Sequence, residues 1–180
     1  MKRLVLLASV LSTLAACQVS PLGPAGVRGP TSPDAALPPA SPFNPDEFAW
    51  STQPGRDVLT GVMAYRRGET VYGCTGEDVL LIPETPWSRR RMIVLYGSTN
   101  SAAVPVSIVR ARTPSASTGD YARYVRRTSC DAEGRFSFAG LPDGAWYVIT
   151  VAKPLGGQGE GVALTRRVEL RGGTRNITLY

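Results

Sequence analysis

Histidine is absent from all 180 residues of the sequence. Because histidine is the usual acid–base group near neutral pH and the commonest metal ligand, Ser–His and Cys–His nucleophile pairs and histidine-containing metal sites are excluded. Carboxylate pairs remain, but Glu77 and Asp78 are neighbours on a predicted strand and point to opposite faces. Asp131 and Glu133 lie in a turn, where polar residues are expected for structural reasons. We therefore predict a protein that is not an enzyme and that holds no metal and no cofactor.

A hydrophobic run long enough to span a membrane is also missing from the sequence. The apolar segment at residues 4–14 is shorter than the roughly 20 residues that a transmembrane helix needs. It follows Lys2 and Arg3 and precedes Ala15 and Ala16, which is the order of charged region, apolar region and small-residue cleavage site in a secretory signal peptide. The sequence therefore predicts a signal peptide at residues 1–16.

One of the three cysteines follows directly after this predicted cleavage site. The string LAAC at residues 14–17 resembles the lipobox of bacterial lipoproteins. In that family the cysteine thiol receives a diacylglycerol, the signal is cut just before the cysteine, and the new amino group is acylated, as with palmitate. The resemblance implies that Cys17 is the lipidated N-terminus of the mature protein, and two or three acyl chains would anchor it stably to a membrane. An ordinary secretory signal that happens to precede a cysteine is the alternative.

The residue after the predicted lipidation site indicates which membrane would hold the protein. In the enteric lipoprotein pattern an Asp after the lipidated cysteine marks retention in the inner membrane, whereas this chain has Gln18. The resemblance therefore implies a place in the cell envelope, anchored in the outer membrane and facing the periplasm. We expect no nucleic acid partner, because nucleic acid is scarce on that side of the inner membrane.

The segment at residues 17–55 has few charges and no apolar periodicity. It holds nine of the 15 prolines, and such proline-rich chains cannot bury a core and favour extended, semi-rigid conformations. We therefore predict a disordered tether that begins at the lipidated N-terminus. Phe43, Phe48 and Trp50 near its end are predicted to dock onto the following domain, with an aromatic ligand site as the alternative.

Beyond residue 56 the sequence consists of short β-type runs separated by turn residues, without an alternation of strands and helices. Each run is about one strand long, and Pro105 within one of them favours an edge strand. This spacing predicts an all-β sandwich. The predicted strands are residues 58–65, 77–83, 104–112, 121–130, 135–138, 145–153, 161–170 and 174–179.

Residues 86–96 depart from this β pattern. Thr85 is suited to cap a helix, Pro86 to occupy its first position and Gly97 to end it. On a helix the apolar residues of this segment would share one face. The sequence therefore predicts one short helix here, and a strand at residues 92–96 is the alternative.

The stretch TSCDAEGRFSFAGLPDGAWYV at residues 128–148 resembles the carboxypeptidase regulatory-like domain. In that family a turn rich in Asp and Gly leads into a strand of alternating aromatics, which is followed by a Gly-Leu-Pro-x-Gly turn and a strand of aromatic and β-branched residues. The strings CTGEDVLLIPETP at residues 74–86 and LTRRVEL at residues 164–170 are similar to a bacterial secreted branch of these domains. The resemblance covers residues 56–180.

This resemblance implies a Greek-key β-sandwich of about seven strands, of the transthyretin (prealbumin) kind, at residues 56–180. Phe136 and Phe138 fall on one face of their strand, as such a sandwich requires. A transthyretin-like hydrolase relies on histidines, so that activity is excluded. The fold says little about function, because such sandwiches serve as spacers, adhesion modules, folding aids and sugar-binding platforms.

Cys74 and Cys130 are the two cysteines that remain when Cys17 is lipidated. An even number of thiols in an oxidising compartment favours pairing, and each of these cysteines lies at the end of a predicted strand beside a turn. The sequence therefore predicts a disulfide bond between them. Two buried free thiols are the alternative.

Arginine carries most of the positive charge of the mature chain. The net charge of the whole sequence is +6, and it falls by two, to +4, when Lys2 and Arg3 leave with the signal peptide. Arginines cluster at residues 89–91, 126–127 and 166–167. Adjacent residues of a strand point to opposite faces, so each pair on a strand should divide its charge between two faces, and we interpret the clusters as part of a solvated face. Attraction to anionic envelope material is the alternative.

No motif in the sequence names a ligand, and the ligand-binding residues stay unassigned at this point. We predict a non-catalytic, lipid-anchored envelope protein that displays its sandwich as an interaction or structural module toward an envelope protein or polysaccharide. A carbohydrate-binding module for an envelope polysaccharide is the alternative. A row of aromatics on a solvent face would favour the alternative, and the aromatics whose faces the sequence leaves open are Tyr121, Tyr124, Trp146 and Tyr147.

Overall fold

The structure is a computed structural model that describes residues 42–114 and 120–180. The predicted signal peptide, Cys17 and the tether as far as residue 41 lie outside the described residues. Within the described residues the chain forms ten β-strands, two α-helices and two 3-10 helices. The strands are β1 (Asp57–Met63), β2 (Arg66–Arg67), β3 (Thr70–Gly73), β4 (Asp78–Pro83), β5 (Ser101–Pro105), β6 (Arg126–Ser129), β7 (Arg135–Leu141), β8 (Gly144–Pro154), β9 (Val162–Leu170) and β10 (Thr174–Leu179). The helices are α1 (Pro86–Tyr96) and α2 (Val106–Arg112), and the 3-10 helices are Pro45–Thr52 and Tyr121–Tyr124.

Strands β10, β1 and β7 form a three-stranded sheet in that order. β1 pairs in parallel with β10 and antiparallel with β7. Successive side chains of a strand point to opposite faces of the sheet, so every second residue of these strands is directed into the protein. The inward apolar side chains, each at most 9% exposed, are Leu59, Met63, Phe136, Phe138, Leu141, Ile177 and Leu179.

The larger sheet is built around β8 and β9, which pair antiparallel along most of their length. On one side β9 pairs with β5, and on the other side β8 pairs with β4, which pairs in turn with β6. The hairpin of β2 and β3 joins the end of β8. The inward apolar side chains of this sheet include Val79, Leu81, Trp146, Val148, Leu164, Val168 and Leu170.

The two sheets pack face to face around one hydrophobic core. Leu59 of the small sheet and Leu81 and Trp146 of the large sheet have no exposed surface in that core. Burying one such side chain contributes roughly 1.5–3 kcal/mol, so the two-residue alternation of the strands provides the main driving force for the fold. The chain is an all-β sandwich with a short helix, and the predicted fold class is confirmed. The described residues contain ten strands, whereas the sequence predicts about seven; the hairpin of β2 and β3 is one addition.

Helix α1 confirms the helix predicted at residues 86–96. Thr85 Oγ1 accepts a hydrogen bond from the Ser88 backbone N–H at 3.1 Å, and Ser88 Oγ accepts one from the Thr85 N–H at 2.8 Å, which is a reciprocal cap. Gly97 ends the helix in the left-handed conformation, with φ of 73°. A second buried cluster joins α1 to the outer face of the large sheet and consists of Ile82, Met92, Tyr147 and Ile149.

The strand predicted at residues 104–112 is wrong over most of its length. β5 ends at Pro105, and helix α2 follows it. The residue before this helix, Pro105, has no side chain that can cap it; the first two backbone N–H groups of the helix donate instead to Gly161 O at 2.9 Å and to Glu160 Oε1 at 2.7 Å. Because both acceptors are more than 50 residues away along the chain, the local sequence carries no signal for this helix.

The strand predicted at residues 121–130 is also only partly correct. It begins as a 3-10 helix, and only β6 is extended. Tyr121 lies against Trp87 with ring centroids 5.1 Å apart, and Tyr124 lies against Phe48 with ring centroids 5.0 Å apart. A strand would send Tyr121 and Tyr124 to opposite faces, whereas a 3-10 turn places residues i and i+3 on one side. Packing of both tyrosines into one aromatic cluster therefore favours the turn.

Residues 45–52 form a 3-10 helix at the end of the segment that the sequence predicts as a tether. Phe48 has no exposed surface. Trp50 packs against Trp146 with ring centroids 5.0 Å apart, and Phe43 lies 5.2 Å from Phe48 by the same measure. The prediction that these three aromatics dock onto the domain is confirmed.

Candidate functional site

The outward face of the three-stranded sheet carries a row of polar side chains, one from each strand. Thr60 of β1 lies opposite Asn176 of β10 and opposite Ser137 of β7. Each points away from the core, because residues next to it in sequence point inward. Thr60 Oγ1 donates a hydrogen bond to Asn176 Oδ1. Since strands lie about 4.8 Å apart, this polar row is roughly 10 Å long.

A second row lies two residues further along the strands and has an apolar centre. Val62 of β1 lies opposite Arg135 of β7 and Thr178 of β10. The Val62 side chain is exposed within a surface that is otherwise polar. This face of the sheet therefore offers an apolar contact directly beside hydrogen-bonding groups.

A tight turn between β6 and β7 forms a wall beside these two rows. Asp131 Oδ1 accepts hydrogen bonds from the backbone N–H groups of Glu133 at 3.0 Å and Arg135 at 2.7 Å. The bond from the Arg135 backbone lowers the pKa of the Asp131 carboxyl below its usual value, and the Arg135 side chain adds to this effect. The wall and the rows enclose a depression of about 570 Å³, which Thr128 and Ser129 also line.

An exposed aromatic ring lies at the other end of this face. Tyr180 follows β10 and is 67% exposed. The Arg166 guanidinium lies 5.3 Å from the centroid of its ring, and Arg166 Nη1 donates to Thr178 O at 2.6 Å. Tyr180 and Arg166 line a further depression of about 470 Å³, which shares Val62 and Asn176 with the first. We call the two adjoining depressions the outer trough.

Another depression, of about 500 Å³, lies between α2 and the glycine-rich loop that joins β8 to β9. Three of its four charged side chains, all except Arg110, have partners among the described residues. Lys153 Nζ lies 2.5 Å from Glu77 Oε1, and Glu160 Oε1 accepts from the Ser107 backbone N–H at 2.7 Å. Hydrogen bonding to Ser107 lowers the pKa of Glu160. Because these partners occupy most of its charged groups, this depression is a weaker candidate than the outer trough.

The arginine pairs on strands divide their side chains between two faces, as predicted. Arg126 turns inward, where its guanidinium lies 5.8 Å from the centroid of the Trp146 ring. Its neighbour Arg127 faces outward, and its Nη1 lies 3.5 Å from Asp78 Oδ2. Arg166 and Arg167 also point to opposite faces. Arg166 contacts the Tyr180 ring in the trough, whereas Arg167 contacts Glu84, which lies just before helix α1.

The three arginines at residues 89–91 lie on α1, where two of them have partners within the domain. Arg89 Nη2 lies 2.7 Å from Glu84 Oε1. The Arg91 guanidinium lies 5.7 Å from the centroid of the Trp87 ring and 5.4 Å from that of Tyr121. Such contacts with carboxylates and aromatic rings account for much of the arginine content without an external anion.

Glu84 lies at the centre of a partly buried ion-pair network between α1 and the large sheet. Its side chain is 10% exposed and accepts from Arg89 at 2.7 Å, from Arg167 Nε at 2.6 Å and from the Tyr147 hydroxyl at 3.0 Å. Burial by itself raises the pKa of Glu84, but hydrogen bonds from these three donors outweigh burial and hold the pKa below its usual value. Burial, followed by the nearby Glu84 carboxylate, raises the pKa of Tyr147 to about 12.

We expect Glu84→Gln to weaken the pH dependence of stability in the acid range. A lowered folded-state pKa stabilises the fold above the unfolded value of 4.5, and this stabilisation is lost as the pH falls through the folded value. The variant should lose about 2 kcal/mol at pH 7, the scale of hydrogen bonds to a charged group, and much less at pH 3. Urea unfolding of the full-length protein across this range measures the difference. Glu69→Gln, at an exposed turn, is the control, and an equal loss at both pH values would contradict a role for the charge.

The aromatics left unassigned by the sequence do not form a row on a solvent face. Three of them are buried, and the fourth is half-buried against Trp87; they are Tyr124, Trp146, Tyr147 and Tyr121. The exposed aromatic of the trough is Tyr180, which is not among these four. The sequence indicates its position only through spacing, because Tyr180 comes four residues after Asn176 and alternate residues of an extended chain share a face.

The sulfur atoms of Cys74 and Cys130 lie 2.07 Å apart, at disulfide-bond distance, and their Cα atoms lie 5.7 Å apart. Cys74 follows β3 and Cys130 follows β6, so the bond joins the ends of two strands that are distant in sequence. Both cysteines are buried in the core. The predicted pairing is present, and its burial makes it part of the packing rather than an accessible redox group.

Two further observations concern residues 42–114 and 120–180 alone. No group of three or more His, Cys, Asp and Glu side chains in that part of the chain is placed to hold a metal ion. Nor does any helix there have the length and apolar character needed to cross a bilayer.

Comparison with known proteins gives a similarity in fold. No protein-family model matches the chain, and no curated protein matches its sequence. The crystal structure of a "putative carbohydrate binding protein" from Pseudomonas aeruginosa is similar over 79% of this chain and 98% of that chain, with a TM-score of 0.53 and 22% sequence identity. At this identity the similarity shows a shared fold alone.

Proposed function

We propose that this protein is a non-catalytic binding module of the bacterial cell envelope, anchored through a lipid on Cys17, and that its outer trough binds a glycan. The polar row carries this proposal. Thr60, Ser137 and Asn176 present hydroxyl and amide groups at the fixed spacing of three paired strands. A sugar ring offers hydroxyls around its edge and C–H groups on its faces, so it can use the polar row together with Val62 and the Tyr180 ring.

The rigidity of the trough supports binding without a large cost in conformational entropy. Thr60, Ser137 and Asn176 lie on paired strands, and the Thr60 hydroxyl already fixes the Asn176 amide through a hydrogen bond. Such preorganised sites lose little freedom when a ligand binds. A weakly interacting polar ligand can therefore gain affinity from several modest contacts.

The state of the acidic groups supports binding rather than hydrolysis. A glycoside hydrolase needs one carboxylic acid with a raised pKa to protonate the leaving group. In the trough, hydrogen bonds lower the pKa of Asp131, which also forms an ion pair with Arg135. This carboxylate is therefore not suited to donate a proton near neutral pH.

The proposed location rests on the lipobox-like string at residues 14–17 and on the proline-rich segment that follows it. A disulfide-bonded core agrees with a compartment outside the reducing cytosol, since such bonds persist mainly in oxidising environments. The proposed site is the outer membrane, with the sandwich facing the periplasm. The description printed for the Pseudomonas aeruginosa structure adds support for a glycan as ligand, although only the fold is shared.

We expect Tyr180→Ala and Asn176→Ala each to weaken glycan binding by about ten-fold, which corresponds to about 1.4 kcal/mol. The first removes the stacking surface, and the second removes an amide donor from the polar row. Both side chains are exposed, so both variants should stay folded. A glycan array and then calorimetry would use full-length protein in a polyoxyethylene detergent, which carries no sugar headgroup.

Asn100→Ala is the matched control, because Asn100 is an exposed asparagine outside the trough. Its glycan affinity should equal that of the unmodified protein. Unchanged affinity in both trough variants would show that the glycan binds elsewhere. If no glycan binds, the proposed ligand class is wrong and an envelope protein becomes the expected partner.

A further inference from the structure

We infer that the outer trough selects uncharged sugars over acidic ones, an inference that rests on the proposed function. Asp131, Arg135 and Arg166 line the trough, and Glu133, which is not among the lining residues, forms an ion pair with Arg135. The formal charges of these four side chains sum to zero. The trough therefore has no net charge to attract an anion, although the whole chain has a net charge of +6.

Arg135 is already engaged by carboxylates. Its Nε lies 2.9 Å from Asp131 Oδ2, and its Nη2 lies 2.8 Å from Glu133 Oε2. The Nη1 group is still open to a ligand, but the Asp131 and Glu133 carboxylates already offset the charge of this guanidinium. A sugar carboxylate at Nη1 would be a third anion around one exposed cation, and such an exposed ion pair gains little free energy.

Arg166 is held in place by the protein at the opposite end of the trough. Its Nη1 donates to the Thr178 carbonyl at 2.6 Å, and the Tyr180 ring lies against its guanidinium. The side chain thus bridges β9 and the edge of β10. Turning toward a carboxylate at the polar row would require Arg166 to give up these two contacts.

The groups that remain for a ligand at the centre of the trough are neutral. They are the hydroxyls of Thr128, Ser129 and Ser137 and the amide N–H groups of Asn176. These groups pair well with sugar hydroxyls, which both donate and accept hydrogen bonds. A uronic acid at the same place would lose hydration from its carboxylate without gaining a cationic partner.

Exposed positive charge is found on other parts of the sandwich. Arg66 and Arg67 are exposed on the hairpin strand β2, and Arg110 is exposed on α2. None of the three lines the outer trough. An acidic polymer attracted by the net charge would therefore contact these surfaces in a salt-dependent way, whereas a sugar in the trough would not depend on salt.

The test compares neutral and acidic hexasaccharides on the full-length protein in a polyoxyethylene detergent. The neutral probes are maltohexaose, cellohexaose and the N-acetylglucosamine hexamer, and the acidic probe is the galacturonic acid hexamer. Raising the salt from about 0.01 M to about 0.15 M shortens the Debye length from about 30 Å to about 8 Å. We expect at least one neutral probe to bind with less than about a two-fold change over this range, and about ten-fold tighter than the acidic probe.

A charge-balance variant gives a second readout. Glu133→Gln removes one carboxylate from Arg135 and leaves the trough with one excess positive charge. At low salt the affinity for the galacturonic acid hexamer should rise several-fold, while the affinity for the neutral probe stays unchanged. Glu69→Gln adds the same charge on an exposed turn away from the trough, and it should change neither affinity.

The outcomes separate this inference from the proposed function. Tighter binding of the acidic probe, weakened by salt and by Tyr180→Ala, would overturn the preference for uncharged sugars and leave the trough as a glycan site. Failure of every hexasaccharide to bind would overturn both. Neutral binding that is insensitive to salt and weakened about ten-fold by Tyr180→Ala would support both.

Discussion

Replacing Cys17 with alanine should abolish lipid attachment and leave the precursor uncut at residue 16. The thiol is the nucleophile that accepts the diacylglycerol in the lipoprotein family that the LAAC string resembles, and alanine has no equivalent group. In that family the signal is cut after lipidation, so both steps should fail together. Each buried CH₂ of an acyl chain contributes roughly 0.8 kcal/mol, so the anchor depends on the lipid. Incorporation of radiolabelled palmitate in cells and the mass of the N-terminal peptide measure the result.

Two comparisons make this experiment specific. A Cys74→Ser, Cys130→Ser double variant should still take up palmitate, because the proposed lipid is on Cys17 alone. Gln18→Asp should also keep the label, while testing whether residue 18 directs the protein to the outer membrane. Label in Cys17→Ala, or a mature N-terminus other than Cys17, would show that the lipoprotein assignment is wrong.

The sandwich could be predicted largely because its strands obey a local rule. Phe136 and Phe138 are two residues apart and both point inward, which leaves Ser137 on the outer face. Helix α1 could be predicted for the same reason, since Thr85 and Gly97 at its ends are local capping signals. Where the residues that determine the conformation of a segment lie within that segment, the prediction agrees with the structure.

Helix α2 could not be predicted because its determinants are distant. Its sequence, VSIVRAR, is rich in β-branched residues, which favour strands. The acceptors of its first N–H groups, Gly161 O and Glu160 Oε1, come from the loop between β8 and β9. Tertiary contacts of this kind override local preference, and a single sequence does not reveal them.

The outer trough could not be predicted from the sequence for a related reason. Thr60, Ser137 and Asn176 are far apart in sequence and meet only because β1 lies between β7 and β10. The two-residue period indicates which side chains share a face of one strand, but it does not give the order of strands or their register. Arg126 and Arg127 show the same limit, since their opposite directions could be predicted, whereas their partners Trp146 and Asp78 could not.

The double variant Cys74→Ser, Cys130→Ser should lose up to about 4 kcal/mol of unfolding free energy, because the native bond closes a loop with a sequence separation of 56. The bond restricts the unfolded chain, and its loss restores that entropy. For a domain of this size a loss of about 4 kcal/mol corresponds to a fall in Tm of roughly 15 °C. Thermal unfolding of the full-length protein, with and without reductant, measures it. Reductant should lower the Tm of the unmodified protein toward that of the double variant and should leave the double variant unchanged.

Counting thiols in the denatured protein tests the bond directly and separates it from lipidation. If Cys74 and Cys130 are bonded and Cys17 carries a thioether-linked lipid, a thiol reagent should find no free thiol before reduction and two afterwards. One thiol before reduction would belong to Cys17 and would mean that the lipid is missing, while the disulfide stands. Two thiols before reduction in lipidated protein would contradict the disulfide, and the lower Tm of the double variant would then reflect lost packing of two buried side chains.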